Sequence, residues 1–172
     1  MVRSKKISQA IILAFTVIAL ALGFVDVPAD SVGLYEDAGL ANRLLYPFFH
    51  VSFLHAAINC WCLLSIVFIY DITPMTLLVS YLIAAFYPVN ALAFLQTCPF
   101  PTLGASGVCY VLLGSISLSV IRKAYYQSCM ALFIGLGFFF RDSVNAWLHL
   151  YCYLCGLVLA FLNTPVEQWR RK

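Results

Sequence analysis

The sequence predicts an all-α membrane protein, a single domain of six transmembrane helices with both termini on the cytoplasmic side. Only 10% of its 172 residues are charged, whereas a soluble domain carries about 25%. So few charges cannot cover the surface of a water-soluble globule. The apolar residues also fall into six runs that approach the length of about 20 residues needed to cross a bilayer, and the basic residues lie mostly on one side of these crossings.

Six apolar runs follow one another with short polar breaks, and no hydrophilic stretch is long enough to form a second domain. Asp71 and Pro74 end the second run, Arg122 and Lys123 end the fourth, and Pro165 follows the sixth. The predicted helices cover about residues 7–25, 47–70, 75–95, 103–121, 125–140 and 144–162.

The first run has two possible interpretations, a retained helix or a cleaved signal peptide. Arg3, Lys5 and Lys6 precede it, as basic residues precede a signal sequence. Its apolar stretch exceeds the 7–15 residues usual for signal peptides, and no small-x-small cleavage site follows it. We therefore predict a retained transmembrane helix.

The distribution of Lys and Arg predicts the orientation, because these residues mark cytoplasmic loops. With six crossings, eight of the ten basic residues share the side that holds both termini, and two lie on the other side. The eight are Arg3, Lys5, Lys6, Arg122, Lys123, Arg170, Arg171 and Lys172. Arg43 and Arg141 lie on the outer side together with five acidic residues.

Seven cysteines are present, and all but Cys98 fall within apolar runs. Buried thiols usually serve as small packing residues. Cys152 and Cys155 lie beside His149, but a metal site needs more ligands close by. We predict neither a metal nor a cofactor, and the odd cysteine count argues against a complete disulfide framework.

Polar residues from three predicted helices share one depth in the outer half of the bilayer. His55 and Asn59 lie four apart on one face of the second helix. Ser106 lies near the outer start of the fourth helix, and His149 lies about 8 Å below the start of the sixth. Each residue alone is best explained by a structural hydrogen bond between helices. Together they favour a functional site, since polar groups at this depth are costly.

These residues can perform nucleophilic catalysis. A serine hydroxyl needs a base to remove its proton, and a neutral histidine such as His149 can accept it. The amide of Asn59, a ring nitrogen of His55 and the backbone N–H of Ser106 are donors for an oxyanion, each worth about 3 kcal/mol. Asp142 lies too near the surface to orient His149, so we predict a Ser–His dyad. The predicted cavity opens to the outside and is lined by His50, Ser52, Asn59, Ser106 and His149.

Aromatic and small residues surround this set. Tyr110 lies one turn beyond Ser106 on the same face, so its ring either packs against His149 or is an ordinary core or lipid-facing aromatic. Small-residue stripes let membrane helices approach closely. The sixth helix carries such a stripe below His149, and the fourth carries two glycines; these residues are Cys152, Gly156, Ala160, Gly107 and Gly114.

The pattern resembles the rhomboid family of intramembrane serine proteases over residues 46–160. The second-helix signature of that family is similar to the segment with His50, His55 and Asn59 at five- and four-residue spacing. Gly104-Ala105-Ser106-Gly107 resembles its Gly-x-Ser-Gly motif, and His149 falls where its sixth helix carries a histidine. Cys152 stands where many members have a glycine, which leaves the closeness of the fourth and sixth helices open.

The resemblance implies Ser106 as nucleophile and His149 as general base. It implies an oxyanion hole formed by His55, Asn59 and the backbone of Ser106, with His50 holding the outer loop. The supporting residues are His50, Gly104, Gly107, Tyr110 and Gly156.

The resemblance also implies a class of substrates. The expected partners are transmembrane or membrane-anchored proteins and the lipid bilayer, with no nucleic acid, and the protein is expected to be a monomer. The short loops and the lack of extra domains favour a multi-pass position in a bacterial plasma (inner) membrane. Phe138, Phe139 and Phe140 either flank the substrate entry or simply face lipid. The alternative function is a catalytically inactive rhomboid-like protein that binds membrane clients, and a small transporter is a third.

Overall fold

The computed structural model describes residues 2–92, 94, 101–140 and 143–163. Within these residues the chain forms eight helices and no strand, which confirms the prediction of an all-helical protein. The helices are α1 (Val2–Leu22), α2 (Ala29–Val32), α3 (Leu40–Leu45), α4 (Phe53–Ile69), α5 (Pro74–Ala85), α6 (Ser106–Ile116), α7 (Lys123–Gly137) and α8 (Ala146–Asn163).

Six of these helices overlap the six apolar runs, but their ends differ. The third run extends to residue 95, whereas α5 ends at Ala85. Pro88 lacks a backbone N–H and disfavours helical geometry at Tyr87, so the chain turns there. Likewise, α6 stops at Ile116 because Ser117 and Ser119 donate to carbonyls only three residues back. Residues 93, 95–100, 141–142 and 164–172, with Cys98, Arg141, Asp142, Pro165, Arg170, Arg171 and Lys172, lie outside the described residues.

Two described helices, Arg3–Leu22 and Ala146–Asn163, combine the length and the hydropathy of a membrane span. Three further helices are apolar but shorter, namely Phe53–Ile69, Pro74–Ala85 and Ser106–Ile116.

The α1–α4 connection (residues 23–52) is folded rather than an open polar loop. It contains α2 and α3, and Leu34 pairs with Thr102 through two backbone hydrogen bonds of 2.8 and 2.9 Å. Tyr46 is fully buried, and its hydroxyl donates to the carbonyl of Ala84 at 2.9 Å. Arg43 donates to the carbonyls of Ala38 and Tyr87. The connection therefore packs onto α5 and onto the segment that leads into α6.

Helix α6 lies in the core and packs most extensively against α8. A Cβ atom on Gly114 would lie 2.8 Å from the Cα of Gly156, and one on Gly156 would overlap the carbonyl of Val111. The two backbones therefore touch, and this contact (the α6–α8 seam) requires glycine on both sides. Cys152 is fully buried, with its sulfur 3.5 Å from the position of a Cβ on Gly107. The cysteine thus fits beside α6 without separating the helices.

Helix α7 lies at the periphery. Its buried residues Met130 and Ile134 pack against Tyr153 of α8, and the Tyr153 hydroxyl donates to Gln127 at 2.6 Å. Its other apolar side chains are largely exposed, as on a helix surrounded by lipid; they include Leu132, Phe133 and Leu136.

Candidate active site

The backbone before α6 places Ser106 at the first position of that helix. Gly104 adopts a φ of +113°, a conformation that side-chain-bearing residues rarely adopt. Its N–H donates to the Tyr46 carbonyl at 3.0 Å. The N–H of Ala105 donates to Nε2 of His50 at 3.2 Å. These bonds leave the N–H of Ser106 at a helix N-terminus, where backbone donors lack intrahelical partners.

Close packing at Gly104 brings His55 and Asn59 to the same turn. A Cβ there would lie 2.8 Å from Cε1 of His55 and 3.2 Å from Nδ2 of Asn59. Only glycine leaves room for both side chains at this point. The serine turn and the polar face of α4 are therefore in contact.

Ser106 and His149 meet through a hydrogen bond. Oγ of Ser106 lies 2.9 Å from Nε2 of His149, and both residues are partly buried. The ring of Tyr110 stacks on the imidazole, with centroids 4.2 Å apart and planes inclined by 18°. This stacking fixes the plane of the imidazole. A serine hydroxyl that donates to an unprotonated ring nitrogen has the geometry required for general-base activation.

Asn59 provides a buried donor beside Gly104, two residues before Ser106. Asn59 is 7% exposed, and its Nδ2 atom has no hydrogen-bond partner among the described residues. Such an unsatisfied buried donor costs about 1–3 kcal/mol. The ring of His55 lies 5.1 Å from that of His50 in an edge-on arrangement. An anionic oxygen near Ser106 could accept hydrogen bonds from the Asn59 amide, a ring nitrogen of His55 and the backbone N–H of Ser106.

A cavity of about 380 Å³ opens over Ser106 and His149. It is lined by Val51, His55, Pro101, Thr102, Leu103, Ser106, Ser143, Val144, Asn145 and His149.

Three residues expected in this lining lie elsewhere. His50 lies behind the serine turn and accepts from Ala105. Ser52 caps α4 by accepting from the N–H of His55 at 3.2 Å. Asn59 lies one turn deeper and is buried. His50 and Ser52 are held in these local hydrogen bonds, and the Asn59 amide is buried against Gly104, so none of the three lines the cavity.

The phenylalanines at the end of α7 divide into two groups. Phe138 is half-buried and packs edge-on against Trp147 of α8, with ring centroids 5.0 Å apart. Phe139 and Phe140 are exposed. Phe138 therefore contacts the protein, whereas the other two can contact lipid or a bound chain.

Two contributors to the cavity carry no signal in the motifs, namely Thr102 and Asn145. Asn145 precedes α8 and donates to Oγ1 of Thr102 at 3.0 Å. Its Oδ1 accepts from the N–H of Leu148, also at 3.0 Å. The bond to Leu148 could have been predicted, because an asparagine just before a helix often caps it by accepting from the N–H three residues later. Nothing in the sequence indicates the bond between Asn145 and Thr102.

The described residues contain no group of three or more His, Cys, Asp or Glu side chains that could hold a metal ion. Within them, no carboxylate forms a hydrogen bond with His149, whose ring contacts are Ser106 and Tyr110. The arrangement can therefore support acyl transfer through a serine and a histidine.

The family model described as Rhomboid domain matches residues 38–165, about three quarters of the chain. This range includes Ser106 and His149. No curated protein and no solved structure matches the chain.

Proposed function

Because the chain belongs to the rhomboid family, we propose that it is an intramembrane serine endopeptidase that cleaves transmembrane or membrane-anchored proteins. The observation that carries this proposal is the 2.9 Å contact between Ser106 Oγ and His149 Nε2 beneath an open cavity. A family member that only binds clients does not require this contact. The stacked ring of Tyr110 supports the same conclusion, because it holds the imidazole in place.

The proposed reaction begins when Ser106 Oγ attacks the scissile carbonyl carbon and its proton passes to Nε2 of His149. Negative charge then develops on the carbonyl oxygen, and Asn59, His55 and the Ser106 N–H donate to it. When the intermediate collapses, the C–N bond breaks and His149 returns the proton to the leaving amine. Water activated by His149 next attacks the acyl-enzyme ester, which releases the new carboxyl end and restores Ser106.

We propose six crossings with both termini in the cytoplasm. The basic residues support this orientation. Nζ of Lys5 lies 3.1 Å from Oδ1 of Asp71, so the start of α1 and the turn after α4 share one side of the membrane. Both groups of the dyad come from one chain, which fits a monomer. A bacterial plasma membrane is the proposed location.

We also propose that substrates enter beside α7, because Ser143 and Val144 of the α7–α8 connection line the cavity. A photocrosslinker at Phe139 or Phe140 should then capture a substrate bound to the Ser106→Ala variant. Capture only from exposed α1 positions, such as Val17, would place the entry elsewhere.

Cleavage in reconstituted liposomes tests the proposed activity. The purified protein should cut a generic transmembrane substrate, and Ser106→Ala and His149→Ala should each abolish cutting. Ser115→Ala is a matched control, since Ser115 lies on the same helix and, within the described residues, its hydroxyl donates to the carbonyl of Leu112. Absence of cutting by the parent, with no covalent labelling of Ser106 by a fluorophosphonate, would favour the client-binding alternative.

A further inference from the structure

The cavity over the dyad has two walls from distant parts of the chain. One wall is the segment 101–103 before α6, and the other is the segment 143–145 before α8. A side-chain hydrogen bond joins them, from Nδ2 of Asn145 to Oγ1 of Thr102 at 3.0 Å. Asn145 is only 9% exposed, so water competes little for this bond.

Asn145 holds the first turn of α8 in two ways. Its Oδ1 accepts from the N–H of Leu148 at 3.0 Å, and its backbone carbonyl accepts from the N–H of His149 at 3.2 Å. A displacement of Asn145 would therefore be transmitted directly to the backbone of His149.

Thr102 is anchored on the serine side. Its backbone N–H and carbonyl both bond to Leu34, at 2.8 and 2.9 Å. Two residues later the N–H of Gly104 donates to the carbonyl of Tyr46, and Ala105 then connects this glycine to Ser106. The backbone of Thr102 is thus fixed relative to the serine turn.

We propose that Asn145 is a positioning residue that sets the separation of base and nucleophile by binding the start of α8 to Thr102. This inference rests on the proposed protease function. The α6–α8 seam holds the two helices together at Gly114 and Gly156, about two turns below the dyad. The Asn145–Thr102 bond joins the same parts of the chain above the dyad, so the pair is held from both ends.

A helix cap alone is the competing explanation for Asn145, and two substitutions separate the roles. Thr102→Val removes the acceptor across the cleft and leaves the cap on Leu148 intact. Asn145→Ser keeps a capping oxygen, but its side chain is too short to reach Thr102. Thr102→Ser retains the hydroxyl and serves as the conservative rescue. Thr76→Val is the matched control, because it removes a threonine hydroxyl in the first turn of α5 whose partner among the described residues is Thr73.

The experiment measures kcat and KM of the full chain in liposomes, with fluorophosphonate labelling as the count of competent sites. Thr102→Val and Asn145→Ser should each lower kcat per labelled site on the order of fivefold to tenfold, the worth of one buried hydrogen bond. KM should change little, because the bond orients the base and does not bind substrate. The double variant should be no slower than either single variant, and Thr102→Ser and Thr76→Val should match the parent.

Several outcomes overturn the proposal. A kcat equal to that of the parent in both Thr102→Val and Asn145→Ser would do so. A double variant whose fold-loss in kcat equals the product of the two single losses would also do so, because the two side chains would then act independently. If the variants cleave more slowly only because fewer sites are labelled, and kcat per labelled site equals that of the parent, Asn145 acts only as a helix cap. These outcomes all require an active parent. A parent that neither cleaves nor is labelled would instead refute the protease function, and the positioning role with it.

Discussion

The α6–α8 seam and helix α7 contrast two ways of using apolar residues in one bundle. At the seam, Gly114 and Gly156 bring two backbones into contact, and the dyad lies on the same pair of helices. Helix α7 has large side chains, and Phe133 remains 64% exposed. Lipid is as apolar as a phenylalanine, so burying such a side chain against protein gains little. Close backbone packing therefore coincides with the proposed catalytic pair, whereas the apolar surface of α7 does not.

The largest expected effect comes from adding a methyl group at the seam. Gly156→Ala should destabilise the protein by roughly 3 kcal/mol, the upper end for overpacking, because its Cβ would overlap the Val111 carbonyl. Activity should be nearly abolished as α8 moves away from α6. Thermal unfolding in detergent and substrate cleavage measure the two effects.

The matched control lies on α7. Gly135 also lies within a helix, but a Cβ there would meet no atom within 4 Å. Gly135→Ala should leave stability unchanged or raise it by up to about 1 kcal/mol, the helix-propensity gain. Equal loss of stability in the two variants would remove the contrast between seam and periphery.

A second substitution sharpens the comparison at the serine end of the seam. Gly104→Ala would place a residue with a side chain at a φ of +113° and a Cβ 2.8 Å from His55. The conformational cost alone is about 1–2 kcal/mol, and displacement of His55 adds to it. We expect kcat to fall by about two orders of magnitude, as for loss of one oxyanion donor. A kcat within threefold of the parent in a steady-state assay would show that the turn tolerates a side chain.

The smallest expected effect concerns the ring that stacks on the base. Tyr110→Leu should lower kcat by about fivefold, because an aromatic contact of this kind is worth roughly 1 kcal/mol. Tyr110→Phe keeps the ring and should remain within about twofold of the parent. If the phenylalanine variant lost as much activity as the leucine variant, the hydroxyl rather than the stacking would be the important group. Single-turnover cleavage rates distinguish these results.

Sequence patterns were informative where the physics is local. Runs of apolar residues indicated the positions of six helices, and the spacing of His55, Asn59 and Ser106 indicated one polar site. The end of α5 was misplaced because hydropathy continues past Ala85, whereas the backbone responds to Pro88. The length of α6 was misjudged for a similar reason, since tight turns follow Ile116 in an apolar stretch.

Apart from the Ser106–His149 pair, which the motifs indicated, the contacts between distant segments were not predictable from the sequence. Helices α2 and α3 are too short to be stable alone, and tertiary contacts such as the pairing of Leu34 with Thr102 hold them. The bond between Ala105 and His50 and the bond between Asn145 and Thr102 join residues 55 and 43 positions apart. Such partners have no periodic signature, so only the folded chain shows them.

The most direct test of the central claim, that Ser106 is a nucleophile activated by His149, is covalent labelling with a fluorophosphonate followed by peptide mass spectrometry. The account predicts a phosphonate adduct on Ser106 in the parent and in Ser115→Ala. It predicts that the adduct is absent in Ser106→Ala and forms far more slowly in folded His149→Ala. An unlabelled Ser106 in the folded parent, or labelling that does not depend on His149, would contradict it.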